Sequence, residues 1–266
     1  EDTDMGNFWD WITSARENID YMFETKSVPL HVTEWNIGTG KGCQDSDEEV
    51  SVYEKQKMQS FISGAITLMQ DDLFDVDYAS FYTGLGNMAL FGLDSDAGTF
   101  KIHPGAWAYW AHQHLQNKKR YSTQYCIRAS CFSAVDQTAR GIRSLYGLTV
   151  KDDDKYYVVV TNDSSSDLEY RLWIQGKNVN SEVKMVKVYN PPNQNEEDLV
   201  ELITERDIDG YAVPTDESLG DALDKVEAST YSRFESYSTG SIYAKSIDIT
   251  IKANSVQLLE VRNSFI

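Results

Sequence analysis

Basic residues are scarce in this chain: 24 Lys and Arg stand against 42 Asp and Glu, a formal net charge of −18. Such a field repels phosphate backbones and anionic lipid headgroups, so no nucleic acid and no membrane surface is expected as a partner. Cysteine is scarcer still. Three residues, Cys43, Cys126 and Cys131, are too few for a disulfide framework, and the odd count leaves one unpaired. An unbroken strand over 125–132 puts Cys126 and Cys131 on opposite faces, which argues against their pairing. Long apolar runs are missing as well, and none approaches the ~18 residues of a membrane helix. The opening Glu1-Asp2-Thr3-Asp4 is not a signal peptide, as expected of a mature secreted, extracellular or periplasmic protein or a piece of one. No serine sits in a nucleophile elbow, no phosphate loop occurs, and no zinc spacing is found, so neither cofactor nor metal is expected. His112 and His114, two apart on a helix, face different directions and make no metal pair. The acidic stretches 45–49 and 152–154 read as solvated loops rather than calcium sites.

What the chain does have is enough apolar material for a real core, 41% of 266 residues, with 16 Tyr, 10 Phe and 6 Trp. Over the first 120 residues helix and strand alternate. Phe8, Ile12, Ala15, Ile19, Met22 and Phe23 recur at helical spacing and predict an amphipathic helix over about 5–25. Pro29 opens an extended run, Leu30 to Trp35, and a Gly-rich acidic loop follows over 37–49. Met58, Phe61, Ile62, Ala65, Ile66 and Met69 fall on one face of a second helix. A second strand is expected over 76–83, then a glycine-containing loop, then a helix opening at Pro104 and lined by Trp107, Trp110, Ala111, His114 and Leu115. This is the rhythm of parallel α/β units.

From about residue 121 short β-rich runs take over, at 125–132, 142–150, 156–161, 168–174, 183–189, 242–251 and 256–261. Leu168, Tyr170, Leu172 and Ile174 alternate with Glu169, Arg171 and Trp173, as on a sheet with one buried face. The polar stretch 190–230 reads as a long insertion. The fold class is therefore α/β followed by all-β, the second part an antiparallel β-sandwich.

One residue carries chemistry. Parallel α/β strands present their sites at the C-terminal end, and Glu34 stands at that end of its strand, before the Gly-rich loop. Period 2 groups Glu34 with Leu30 and Val32 as inward-pointing residues, where an uncompensated carboxylate is costly. The residues alone leave two readings open, a functional carboxylate and a loop-capping or Arg-paired one. His31 alternates away from Glu34 and reads as a packing histidine.

The segment Val28-Pro-Leu-His-Val-Thr-Glu-Trp-Asn36 resembles the seventh-strand segment of retaining glycoside hydrolases with (β/α)8 TIM barrels, and is closest to the β-xylosidase/α-iduronidase family. Val76-Asp-Tyr-Ala-Ser-Phe-Tyr82-Thr would then be the eighth strand. The run from Phe91-Gly-Leu-Asp through Lys101-Ile-His-Pro104 to Trp107-Ala-Tyr-Trp110 is similar to the approach to the eighth helix, and 249–261 to the closing strands of the accessory sandwich. The resemblance divides the chain into 1–120, barrel helix 6 to helix 8, and 121–266, the β-sandwich.

The resemblance implies a double displacement on a poly- or oligosaccharide, with Glu34 as nucleophile and a second carboxylic acid about 5–5.5 Å away as acid/base. Tyr82 falls where the family usually has a Trp as the floor of the sugar site. Trp35 and Asn36 are candidate substrate contacts, although Trp35 also fits a role packing against the neighbouring helix. A complete barrel takes about 250 residues, so the acid is expected from an N-terminal barrel segment, in the same polypeptide or a separate chain. Asn195-Glu196, downstream of the nucleophile, is rejected as its source. The rival readings are another enzyme of the same barrel clan and a non-catalytic carbohydrate-binding protein built on a barrel remnant and a Tyr-rich sandwich.

Overall fold

The computed structural model describes residues 4–24, 28–35, 52–81, 90–94, 99–127, 130–141, 144–153, 155–176, 178–193, 200–206, 212–239 and 242–262. In the first part the elements run α1 (Asp4–Phe23), β1 (Leu30–Trp35), α2 (Val52–Met69), β2 (Val76–Phe81), β3 (Phe91–Asp94), β4 (Thr99–Ile102), α3 (Pro104–Gln113) and β5 (Lys119–Tyr121). β1 and β2 pair in parallel with α2 between them in sequence, a βα unit of the predicted kind. α3 opens with Pro104 at its first turn, where the missing N–H costs nothing.

The chain continues with β6 (Tyr125–Ile127), β7 (Ser130–Phe132), α4 (Ala134–Ala139), β8 (Leu145–Asp152), β9 (Lys155–Asn162), β10 (Leu168–Gly176), α5 (Val179–Glu182) and β11 (Met185–Asn190). It closes with β12 (Val200–Arg206), β13 (Ala212–Pro214), α6 (Asp216–Leu223), β14 (Glu227–Tyr231), β15 (Glu235–Thr239), β16 (Ile242–Ile251) and β17 (Ser255–Arg262). A six-stranded sheet in the order β14-β11-β17-β9-β8-β5 and a three-stranded sheet β10-β16-β15 are both antiparallel. They pack face to face over a core that includes Val158, Val160, Val186, Ile249, Ile251 and Leu259. Leu168, Tyr170, Leu172 and Ile174 line this core from β10, on the side period 2 assigns them.

The other face of the six-stranded sheet is covered too. Tyr157 and Val159 of β9, with Val256 and Leu258 of β17, meet Ala111 and Leu115 around α3. A strand buried on both sides reads as a continuous apolar run, which is why β9 is Tyr-Tyr-Val-Val-Val rather than alternating. α2 is enclosed for the same reason. Met58, Phe61, Ile62, Ala65 and Leu68 face a second core shared with α1 and β1, while Gln59, Ser60, Ser63 and Thr67 are buried as well. Gln59 bridges both neighbours, donating to Pro192 O at 2.9 Å and accepting from Val256 N–H at 2.9 Å. Ser60 donates to Asp163 at 2.7 Å, and the Ser63 and Thr161 hydroxyls lie 2.6 Å apart. Gly105 lets α3 close onto α2, since a Cβ there would stand 2.8 Å from Ile62 Cδ1.

Several expectations are corrected. The run 125–132 is not one strand but the hairpin β6–β7, in which Cys126 and Cys131 face each other and form a disulfide. Opposite strands of a hairpin present directly paired residues on one face, whereas a single strand would have separated them. The glycine-containing loop before Pro104 holds β3, paired with β4. The 190–230 stretch, read as a long polar insertion, carries strands and a helix that join the rest of the chain. β12 pairs with β4 and β13, Ala222 of α6 packs against Ile102 and Trp107, and β14 extends the six-stranded sheet. Residue 120 lies within β5, and the β4–β12 pairing joins the two parts of the chain across it.

Candidate active site

β1 ends at Trp35, and its pairing with β2 sets the local geometry: Leu30 opposite Val76, Val32 opposite Ala79 and Trp35 opposite Phe81. The register shifts between Val32 and Trp35. An unbroken strand would put residues 32 and 35 on opposite faces, yet both are buried in the core that α1 and α2 form, at 1% and 6% exposure. Two consequences follow. Leu30 and Val32 face the helices rather than a barrel interior. Period 2 also breaks before the strand ends, so it cannot be used to group Glu34 with them. A bulge of this kind re-aims side chains at strand ends.

Trp35 is held on three sides. Its ring stands 6.1 Å from Phe8 of α1, 6.3 Å from Phe61 of α2 and 5.2 Å from Phe81 of β2, the last edge to face. Its Nε1–H is buried without a partner among the described residues. This is the helix-packing role that the sequence left open, and it leaves little indole surface for a ligand. Glu34 lies within β1, but its side chain, Asn36 and Tyr82 fall outside the described residues.

The opposite face of β1 and β2 is open. His31, Thr33, Asp77, Tyr78 and Ala79 are exposed, and His31 Nε2 lies 3.3 Å from Asp77 Oδ2. His31 is thus a surface residue paired with a carboxylate, not a packed one. Its neighbour Tyr78, with a ring centroid 6.2 Å away, is a polar aromatic on the same exposed face. β1 and β2 form a sheet with no further strand among the described residues. Along β2, a cavity of about 890 Å³ is lined by Tyr78, Tyr109, Trp110 and Leu223, among others. Burial pushes the Tyr109 phenol well above the usual range, so it stays a neutral donor.

His112 and His114 behave as expected of separate groups. The His112 ring meets Ser63 Oγ at 2.9 Å, and burial pushes its pKa down to about 4. His114 Nδ1 meets Trp110 O at 2.9 Å. No cluster of metal-ligating side chains occurs among the described residues, and no helix is long and apolar enough to cross a membrane.

No family model matches the chain, and no curated protein matches it. Solved structures do. An α-L-arabinofuranosidase from Thermotoga maritima, determined with arabinose, is 13% identical at a TM-score of 0.52, over 95% of this chain and 47% of that one. A family 51 (GH51) α-L-arabinofuranosidase from Thermotoga petrophila is also 13% identical, at a TM-score of 0.54 over 95% and 47%. A family 51 enzyme from Bifidobacterium longum is 10% identical, at a TM-score of 0.50 over 97% and 48%. The chain spans about half the length of these structures. At such identity the likeness is one of fold, shared with part of a group of glycoside hydrolases.

Proposed function

We propose that this chain supplies the nucleophile, Glu34, of a retaining glycoside hydrolase that cleaves O-glycosidic bonds of a poly- or oligosaccharide. The observation that carries the reading is the position of residue 34, next to last in a parallel strand whose partner β2 leads directly into Tyr82. Sites on such βα units gather at this strand end. The fold shared with half of each family 51 enzyme agrees with it. So do the segment 28–36 and its resemblance to the β-xylosidase/α-iduronidase family, with residues 1–120 as the last part of a TIM barrel and 121–266 as an accessory sandwich.

In this reading the Glu34 carboxylate attacks the anomeric carbon as a second carboxylic acid protonates the departing oxygen. The resulting glycosyl ester is then opened by water, which the second group deprotonates. Asn36 and Tyr82, one on each strand's exit, contact the sugar. Trp35 acts indirectly, anchoring the strand end through its aromatic packing. The second acid comes from an N-terminal barrel segment, in the same polypeptide or a separate chain. That the β1–β2 sheet has no further strand among the described residues supports this, since a barrel closes only when every strand has two neighbours. The Cys126–Cys131 disulfide favours an oxidising location, so the protein is assigned to the exterior or periplasm.

The test uses the assembled enzyme with its barrel segment and a panel of nitrophenyl α-L-arabinofuranoside, β-D-xyloside and β-D-glucoside. Glu34→Gln should lower kcat by on the order of 10³-fold or more, since a covalent step is lost. Glu34→Gly with added azide should restore turnover and yield the inverted glycosyl azide. Retention of wild-type turnover by Glu34→Gln would remove the nucleophile from this position.

A further inference from the structure

The outward face of the three-stranded sheet carries a cluster that the core does not need. Period 2 turns Glu169, Arg171, Trp173 and Gln175 of β10 to this side, and all four are exposed. The register sets Trp173 opposite Ser246 and Ser246 opposite Glu235. One pleat further, Gln175 faces Ala244, and Ala244 faces Tyr237. Trp173 and Tyr237 therefore flank β16 on a diagonal, with ring centroids 4.8 Å apart and planes tilted by 37°. Between them β16 offers only Ser246 and Ala244. These point to the solvent side yet are 1% and 8% exposed. The two rings flank them and are themselves 45% and 40% exposed.

A fixed polar rim adjoins the rings. Arg171 Nε and Nη2 donate to the two Asp248 oxygens at 2.6 and 2.7 Å, and Nη1 donates to Glu235 at 3.2 Å. The Tyr237 hydroxyl donates to the same Glu235 carboxylate. An aromatic pair by itself steadies a sheet, by roughly 0.5–1.5 kcal/mol, but that needs neither exposed rings nor a bidentate guanidinium beside them. The charges select the ligand. A single guanidinium, Arg171, stands between two carboxylates, Asp248 and Glu235, so the rim is net negative and disfavours an anion. The bidentate pair holds Asp248, and Glu235 is engaged by both Arg171 and Tyr237. The carboxylates' remaining lone pairs still accept hydroxyl protons. Flat aromatic surface next to oriented acceptors and N–H donors suits an uncharged ring with one C–H face and hydroxyls at its edge.

We infer that this face is a second binding site, for a neutral glycan chain, built by Trp173 and Tyr237 as a platform with Arg171, Asp248 and Glu235 as its polar rim. It lies on a different layer from the end of β1 and does not depend on Glu34 acting as nucleophile.

Affinity electrophoresis of the full chain in gels containing arabinan, arabinoxylan or mixed-linkage β-glucan tests it, with polygalacturonate as the anionic control. At least one neutral polymer should retard the chain. Trp173→Ala and Tyr237→Ala should each weaken that retardation by about tenfold, as loss of a central aromatic anchor does, while Trp173→Tyr keeps most of it. Thermal unfolding checks that each variant is folded, and the Tyr237→Ala result decides if Trp173→Ala is not. The assay needs no hydrolysis, so an inactive Glu34→Gln chain that still binds separates the two proposals. Retardation by none of the neutral polymers overturns the site, as does equal retardation by polygalacturonate or binding unchanged in both folded alanine variants. A dimer seen by sedimentation that Trp173→Ala dissolves, with no glycan bound, overturns it in favour of a contact between copies.

Discussion

At Trp35 the indole is enclosed by Phe8, Phe61 and Phe81, with 6% of the residue exposed. Trp35→Ala should therefore cost about 3–5 kcal/mol of stability, as large-to-small core changes do, read as a lower urea midpoint. A substrate-stacking residue would instead leave the midpoint near wild type and change KM. His112 gives a pH signature. Its folded pKa, about 4, is below the ordinary value near 6.5, so the unfolded chain binds the extra proton first. Its contribution is fully present above pH ~6.5 and is lost as the pH falls from there toward 4. Between pH 6.5 and 5, mostly above the carboxylate range, stability should fall by up to about 2 kcal/mol. His112→Asn should flatten that slope in denaturation curves taken across the window. A slope unchanged by the substitution would assign the loss to other groups.

Among the elements, α2 is buried on opposite faces along its described residues, against α1 and β1 on one side and β9 and β17 on the other. Its apolar stripe was legible at 3.6-residue spacing, but Gln59, Ser60 and Ser63 carried no such signal, because short polar residues on a helix ordinarily face water. Only the sheet laid against them makes them interior. Gln59→Leu strands the Val256 N–H and the Pro192 carbonyl, and should destabilise the protein by about 2–4 kcal/mol in the same denaturation assay. The β6–β7 hairpin is the opposite case, a surface element closed by a short covalent loop. Replacing Cys126 and Cys131 together by Ser should lower stability by at most about 2 kcal/mol, the entropy of so small a loop. Added reductant should reproduce the shift in the parent and leave the double variant unchanged.

For the whole molecule, the layers run from the three-stranded sheet through the six-stranded sheet and α2 to α1 with β1 and β2. The last layer is the least covered. Trp11, Tyr21, Met22 and Phe23 of α1 are exposed by 49–87%, and the β1–β2 sheet has no further strand among the described residues. Exposed large apolar side chains and strand edges without a neighbour among the described residues both promote association. The 266-residue chain by itself should thus self-associate with rising concentration in light scattering and show no glycosidase activity. On the function proposed above, co-expression with an N-terminal barrel segment should reverse both. A monodisperse, inactive monomer at high concentration would count against the missing-layer reading.

The sequence by itself determined the type of α1, β1, α2, β2 and α3, the strands β8 to β11, β16 and β17, and the two faces of β10, because periods of 3.6 and 2 are written in single residues. It also pointed to the end of β1, through a carboxylate placed where parallel strands keep their chemistry. Only the tertiary structure decided what depends on a distant partner. It turned Leu30, Val32 and Trp35 toward the helices, with a register shift before the strand's end. It split 125–132 into a disulfide-closed hairpin and drew 190–230 into sheets with β4 and β11. It also set Trp173 beside Tyr237, 64 positions apart in the chain. Pairing across such separations is settled by packing energy, which no local pattern encodes.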